Sequence, residues 1–196
     1  VASDPHIAFG SISCWYEAHL SGAGFNAAGT GYAGVPGLLF GRNEKVAWGL
    51  TNNICAQRDL FKEKENPKKP GYYLHDGQWE QADETNVIIT VKGQNPVTRT
   101  ICRTRNGPIV DAILPEAAAH TGPVSLRWMG EDPCDEISSM LEMNRANSAD
   151  QFREALRPWI VPTFSFAFAD SKGHIGYQAS GRLPIKNDWN RGYRHG

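Results

Sequence analysis

The sequence has 196 residues, and its 20 basic residues nearly balance its 21 acidic ones, leaving a formal net charge of −1. A chain of this length can bury a core, because domains commonly hold about 100 to 150 residues. The near-neutral charge supplies no basic excess for nucleic acid, and no apolar run approaches the roughly 20 residues that span a bilayer. We therefore expect a globular protein with no nucleic-acid partner and no membrane span.

The first third is rich in glycine and predicts short strands. Apolar residues 38–41 and 46–50 are separated by four polar residues, which indicates a β-hairpin. Residues 29–34 match G-x-G-x-x-G, but Val35-Pro36-Gly37 follows them and cannot open the helix that a dinucleotide site requires. We interpret residues 29–34 as a glycine-rich loop, with a nucleotide site as the weaker alternative.

The middle of the chain predicts further hairpins. Residues 62–70 form a polar linker, after which Asp76-Gly77 lies between aromatic residues and indicates a tight hairpin turn. Apolar residues 87–91 and residues 97–104 flank a turn that contains glycine and proline. This part of the chain is expected to be rich in β-structure.

Beyond Asp135 the apolar spacing becomes helical. A first helix is predicted around residues 137–144, and a capping box at Ser148 opens a second one. Pro158 and Pro162 end this second helix, which should bury Phe152, Leu156 and Trp159. Alternation resumes over residues 164–169, turns at 170–173 and returns through 174–177, so the whole pattern predicts an α+β protein.

The four cysteines lie far apart in the sequence and match no metal or redox motif. They are Cys14, Cys55, Cys102 and Cys134. We expect them to be mainly structural residues, with one or two disulfides as the alternative if the parent protein is exported.

Several blocks together resemble the β-subunit of the penicillin acylase family, in the family's order, from residue 2 to about residue 186. They are residues 2–6 (ASDPH), 15–20 (WYEAHL), 34–37 (GVPG), 40–43 (FGRN), 47–52 (AWGLTN), 59–61 (DLF), 103–108 (RTRNGP), 169–170 (AD) and 173–177 (GHIGY). The resemblance implies an N-terminal nucleophile hydrolase, in which a serine freed by self-cleavage attacks an amide with its own α-amino group as the base.

The resemblance also implies a domain organisation. The chain is expected to be part of a four-layer αββα fold, with core layers from residues 1–58 and 125–196 and an inserted β-rich module at residues 59–124. The family's nucleophile precedes the Asp4-Pro5-His6 block by a short distance, which places it upstream of Val1. We therefore expect this chain by itself to be inactive.

Three positions carry over from the family's catalytic machinery. The backbone N–H of Asn52 would donate to the oxyanion of the tetrahedral intermediate. Ser165 stands where the family has a second donor, an Asn side chain, so it is interpreted either as a substitute donor or as a small residue on the polar face of a strand. His6 matches a position that helps to orient the nucleophile and the substrate.

Ile7, Phe40 and Ile54 fall where the family lines its acyl pocket, and the alternative is that they are core residues of β segments. Asp59 matches one carboxylate of the family's calcium site, but Ala56 replaces the other, so a structural calcium ion would have lost a charged ligand. Asp59 capping a turn is the alternative, and the reaction itself requires no cofactor.

The function that these matches imply is hydrolysis of an amide between an acyl group and an amine, as in a β-lactam or an acyl-homoserine lactone. The partners would be a small acylated amine and the other subunit or segments of the same precursor. The family resemblance places the protein in the periplasm or outside the cell, with the cytoplasm as the alternative. A second hypothesis is a non-catalytic binding or structural module whose aromatic hairpins bind a polysaccharide or another chain. The candidate residues are Trp15, Tyr72, Tyr73, Trp79 and Trp128, and the alternative is that these scattered aromatics belong to the core.

Overall fold

A computed structural model describes residues 1–4, 14–116, 122–186 and 194–195. The chain divides into two compact units. The first comprises Val1–Cys55 and Asp132–Pro184, and the second comprises Ala56–Glu131 and Ile185–Gly196. Each unit therefore contains two separate stretches of the sequence.

The secondary structure is mostly antiparallel β-sheet with two α-helices. In chain order the strands are β1 (Trp15–Gly22), β2 (Phe25–Tyr32), β3 (Phe40–Arg42), β4 (Val46–Asn52), β5 (Arg58–Lys62), β6 (Tyr72–His75), β7 (Gln78–Gln81), β8 (Asp83–Ile89), β9 (Val97–Thr104), β10 (Gly107–Pro108), β11 (Val124–Trp128), β12 (Phe164–Asp170), β13 (Ile175–Ser180) and β14 (Arg194–His195). The helices are α1 (Glu136–Arg145) and α2 (Ala149–Ala155). The predicted α+β class is confirmed.

The first unit contains a six-stranded antiparallel sheet in the order β1, β2, β3, β4, β12, β13. The predicted hairpins β3–β4 and β12–β13 are both present. Between them, β4 pairs with β12 over seven residues, from Val46 opposite Asp170 to Asn52 opposite Phe164. This pairing joins the two stretches of the unit into one sheet.

The prediction of a glycine-rich loop at residues 29–34 is wrong, because Gly29 and Gly31 lie inside β2. A Cβ atom at Gly29 would overlap the carbonyl oxygen of Phe40, and one at Gly31 would lie 2.6 Å from that of Gly37. The glycines are needed for close approach between backbones within the sheet, and not for a turn or a phosphate.

Both predicted helices are present, and the Ser148 Oγ atom accepts the Gln151 N–H at 3.2 Å as the cap of α2. This helix ends at Ala155, so Leu156 and Trp159 are buried beyond it rather than in it. Helical backbone is disfavoured for the residue before Pro158. Hydrogen bonds between residues three apart run from Arg153 to Trp159 and replace the α-helical turn that the sequence predicts there.

The helices cover one face of the six-stranded sheet. Phe152 of α2 is fully buried, and its ring lies 4.8 Å from Phe168 and 5.6 Å from Trp48. Because side chains alternate along strands, the residues between these core positions point to the opposite face. On β4, β12 and β13 this opposite face, called here the open face, consists of Ala47, Gly49, Thr51, Ser165, Ala167, Ala169, Ile175, Tyr177 and Ala179.

The second unit contains two three-stranded sheets, ordered β10, β9, β8 and β11, β5, β14, and the hairpin β6–β7. The hairpin turns at Asp76 and Gly77, both with positive φ as the Asp-Gly signal predicts, and the predicted β8–β9 hairpin is also present. Strands β5 and β11 were not predicted. Buried Glu63, which follows β5, connects the sheets because its Oε1 atom accepts hydrogen bonds from Ser125, Thr104 and Asn106.

Within the described residues, neither helix is long and apolar enough to cross a membrane. The four cysteine thiols are free.

Candidate active site

Asn52 and Ser165 lie at the same end of two adjacent strands. Asn52 is the last residue of β4, and Ser165 is the second residue of β12. Ser165 pairs with Thr51, and Phe164 pairs with Asn52. The two positions that the resemblance assigns to oxyanion binding are therefore neighbours across one strand pair, although they are separated by more than half of the chain.

The backbone N–H of Asn52 points away from β12. The Asn53 N–H donates to the Thr163 carbonyl oxygen at 3.1 Å, which makes residues 53 and 163 a hydrogen-bonded pair of the ladder. Bonded and non-bonded pairs alternate in antiparallel sheets, so Asn52 and Phe164 form a non-bonded pair. On its other side β4 pairs with β3 only at Ala47 and Trp48. The Asn52 N–H is therefore directed beyond the end of β3, where it can serve a ligand.

Ser165 presents its hydroxyl on the open face. Its Oγ atom lies 2.7 Å from the phenolic oxygen of Tyr177 on β13. Tyr177 is 66% exposed, so this hydroxyl pair lies at the surface of the unit rather than in its core.

The first residues of the chain lie over the same face. The Ser3 hydroxyl donates to the Leu50 carbonyl oxygen at 2.9 Å. A Cβ atom at Gly49 would lie 2.6 Å from the Ser3 Cβ and 3.5 Å from a Val1 methyl group, so only glycine leaves room for this segment. Beside it is a shallow groove of about 320 Å³, lined by Val1, Ser3, Thr30, Phe40, Arg42 and Ala47 among others.

The residues predicted to line the acyl pocket have different environments in the structure. Phe40, the first residue of β3, lines the groove and is half-buried, with its ring 5.1 Å from that of Trp15. Ile54 follows β4 outside any strand and is 97% exposed, so its interpretation as a core residue of a β segment is wrong. Its position after the end of β4 leaves it without apolar cover in this unit. His6 and Ile7 lie outside the described residues.

Asp59 lies within β5, opposite Arg127, and does not cap a turn. The Lys186 ammonium donates to its Oδ1 atom at 2.9 Å, and both side chains are largely buried. Neighbouring Ala56 provides no carboxylate, and no cluster of three or more His, Cys, Asp or Glu side chains suited to a metal ion occurs among the described residues. These residues do not fit a calcium ion, because a lysine occupies the one carboxylate that the family would use and would repel the cation.

Sequence reasoning missed the contacts of Tyr177 with Ser165 and of Lys186 with Asp59. Tyr177 could have been found, because the hairpin with its turn at residues 170–173 determines that Tyr177 and Ser165 share a face. No local signal links Lys186 to Asp59. Among the aromatic residues of the alternative binding module, Tyr73 is 8% exposed and contributes no surface.

Asp170 holds the start of α2 against the β12–β13 turn. Its carboxylate accepts hydrogen bonds from the His174 Nδ1 atom at 3.0 Å and from the backbone N–H groups of Ala149, Lys172 and His174. These bonds, that of the His174 ring foremost, hold the pKa of Asp170 far below its ordinary value. The Ala-Asp pair of the resemblance therefore has a structural role at the end of β12 opposite to Ser165.

The sequence model of the penicillin amidase family matches residues 1–195. The chain is 30% identical to an acyl-homoserine lactone acylase, QuiP, of Pseudomonas aeruginosa, covering 96% of this chain and 23% of the relative. It is 31% identical to a penicillin G acylase of Escherichia coli, covering 86% of this chain and 20% of the relative. The chain thus spans between a fifth and a quarter of the length of these curated relatives.

A solved structure shows the same fold. The thermostable penicillin G acylase from Alcaligenes faecalis superposes with a TM-score of 0.82 at 25% identity, and the match covers 98% of this chain and 34% of that structure. The predicted N-terminal nucleophile hydrolase fold is therefore confirmed.

Proposed function

The chain belongs to the penicillin amidase family, and from this premise we propose that it forms part of an enzyme that hydrolyses the amide between an acyl group and an amine. The observation that carries the proposal is the placement of Asn52 and Ser165 on adjacent strands at one end of the open face. An amide hydrolase needs donors that converge on the carbonyl oxygen as it becomes negatively charged. The donors available at this strand end are the Asn52 N–H, directed away from β12, and the Ser165 hydroxyl on the open face, and we assign both to that oxygen.

In the proposed reaction the nucleophile is a serine that precedes Val1 in the full-length protein. Its Oγ atom bonds to the amide carbon while its own α-amino group takes the hydroxyl proton, and the carbonyl electrons move to the oxygen. The Asn52 N–H and the Ser165 hydroxyl donate to that oxyanion. When the carbonyl re-forms, the C–N bond breaks, and the amine leaves with the proton from the α-ammonium group. Water then bonds to the acyl carbon while the α-amino group takes one of its protons, and the serine Oγ–C bond breaks as the serine oxygen recovers that proton and the acid is released.

The position of Val1 and Ser3 supports this arrangement. Because both pack over Gly49, a segment preceding Val1 would leave from the open face, on which Ser165 lies. The exposed Ile54 and half-buried Phe40 would then contribute to an acyl pocket completed by other parts of the protein.

The substrate class we propose is a small acylated amine, of the β-lactam or acyl-homoserine lactone type. The partner is the remainder of the same precursor, and the compartment is the periplasm or the cell exterior. Within the chain, we assign both oxyanion donors to the first unit, and we propose that the second unit has a structural rather than a catalytic role.

The test uses the full-length protein that contains these 196 residues. It should yield a subunit beginning with serine, hydrolyse a chromogenic acyl amide and acquire one acyl adduct measurable by intact mass. Asn52→Ala should retain most activity because the donor is the backbone, whereas Asn52→Pro, which removes the N–H, should lower kcat by about 100-fold or more. The unfolding temperature of both variants shows whether they fold. Absence of hydrolysis and of an adduct in the wild-type protein would reject the proposal.

A further inference from the structure

Tyr177 makes a hydroxyl contact across the β12–β13 hairpin. Its phenolic oxygen lies 2.7 Å from the Ser165 Oγ atom, so the contact joins the polar ends of the two side chains.

The surrounding residues allow this contact. Tyr177 pairs with Ala167, and Ser165 pairs with Ala179. Tyr177 and Ser165 are therefore diagonal neighbours on the open face, and the residue directly opposite each of them is an alanine. Diagonal neighbours on antiparallel strands are within reach of an aromatic side chain, and the small alanines leave the ring free to lie toward Ser165.

The chemistry of the two groups determines what the contact can do. A serine hydroxyl has one proton and rotates freely, so by itself it is a poorly oriented donor compared with an asparagine amide. A phenol is the more acidic of the two groups and is the favoured donor in the pair. When the Tyr177 O–H donates to the Ser165 Oγ atom, the serine proton must point elsewhere, and successive hydrogen bonds polarise one another.

We propose that Tyr177 is a positioning residue that orients the Ser165 hydroxyl so that its proton points to the oxyanion of the acyl-transfer reaction. The inference rests on the proposed function. Tyr177 acts through Ser165 and supplies the fixed direction that serine lacks. The pair thus replaces the single asparagine amide that the family resemblance places at position 165.

The experiment compares variants of the full-length processed protein on a chromogenic acyl amide. Tyr177→Phe should lower kcat about tenfold with little change in KM, the size of effect expected for two contacting residues. Ser165→Ala should lower kcat by about 100-fold, as loss of an oxyanion donor does. The double variant Tyr177→Phe/Ser165→Ala should be no slower than Ser165→Ala, because the tyrosine acts only through the serine.

A rescue variant separates positioning from a structural role. Ser165→Asn supplies an amide donor that needs no orientation, so adding Tyr177→Phe to it should leave kcat unchanged. Tyr72→Phe is the matched control, since its hydroxyl also makes one exposed hydrogen bond, to Gln81 at 3.0 Å, in the second unit. It should leave kcat and KM at wild-type values.

The outcomes are distinct. If the wild-type protein hydrolyses the amide but Tyr177→Phe is as fast, the inference fails and the proposed function stands. If Tyr177→Phe slows the Ser165→Ala and Ser165→Asn backgrounds as much as the wild type, the tyrosine has another role and the inference is overturned. If the wild-type protein neither hydrolyses the amide nor forms an acyl adduct, both proposals fall.

Discussion

The side chain of Asn144 in α1 hydrogen-bonds to both backbone groups of Leu38: its Oδ1 atom accepts the Leu38 N–H at 2.7 Å, and its Nδ2 atom donates to the Leu38 carbonyl oxygen at 2.9 Å. Asn144 is fully buried and Leu38 is 1% exposed. The amide thus takes the place of a neighbouring strand for the segment that leads into β3. It fixes the helix layer to the sheet.

Replacing Asn144 with leucine should destabilise the protein strongly. The side chains have similar volume, but the substitution leaves a buried N–H and a buried carbonyl without partners, at a cost of about 3 kcal/mol in the free energy of unfolding. Denaturant unfolding followed by circular dichroism measures this. Exposed Asn95→Ala is the control and should change stability by less than about 0.5 kcal/mol. Equal stability of the two variants would show that the Asn144 bonds contribute little.

The Asp170 carboxylate should make stability depend on acid pH. Its pKa is lowered by folding, so the ionised form stabilises the native state fully above the unfolded value of about 3.9, and the contribution is lost as the pH falls below that value. The difference in unfolding free energy between wild type and Asp170→Asn should therefore be constant above about pH 5 and shrink progressively as the pH falls below that value. Ser171→Ala, at an exposed position of the same turn, removes no ionisable group and should leave the pH dependence of stability as in the wild-type protein. A constant difference for Asp170→Asn contradicts the prediction.

The Lys186 and Asp59 pair should make the protein indifferent to calcium. Because the ammonium already neutralises this carboxylate, neither added calcium nor a chelator should move the unfolding temperature of the wild-type protein. Lys186→Met should lower the free energy of unfolding by about 1 to 2 kcal/mol, and much less in an Asp59→Asn background. An unfolding temperature that falls with chelator and recovers with calcium would instead reveal a metal site.

Gly49 should be needed for activity rather than for stability. In Gly49→Ala the added methyl group would meet Ser3, so residues 1–3 must move from the open face. If this segment leads to the nucleophile, kcat should fall at least about tenfold, because misplacing reacting groups by about an ångström is costly. Ser3→Ala, which removes only the bond to Leu50, should have a smaller effect, and Ser21→Ala on β1 should have none. Unchanged kcat in Gly49→Ala would separate this segment from catalysis.

Local patterns were sufficient for four hairpins and two helices. The Asp76-Gly77 turn and the Ser148 cap act over a few residues, so their signals lie within the sequence that forms them. The pattern of residues 29–34 does not predict strand β2, because its glycines are explained by the close approach of Gly29 to Phe40 of β3 and of Gly31 to Gly37. Strands β5 and β11 were missed because they pair with each other across more than sixty residues.

In the candidate site, too, the residues could be identified from the sequence but their contacts could not. Asn52 and Ser165 were identified by resemblance, and their adjacency follows from the pairing of β4 with β12, which no local pattern specifies. For Ile54, the alternative to a pocket residue is a core residue within a β segment, and this alternative is wrong because β4 ends at Asn52 and Ile54 is 97% exposed. Burial depends on what lies opposite a residue, and that is a property of the assembled sheets.

The sequence by itself determined the family, the α+β class, most of the turns and the identity of the polar groups near the site, because these depend on short motifs, on periodicity and on residue chemistry. Only the tertiary structure decided that Tyr177 reaches Ser165, that Lys186 neutralises Asp59 and that Asn144 holds Leu38. The last two contacts join residues more than 100 positions apart. Their geometry comes from strand order and helix packing, which depend on the whole chain.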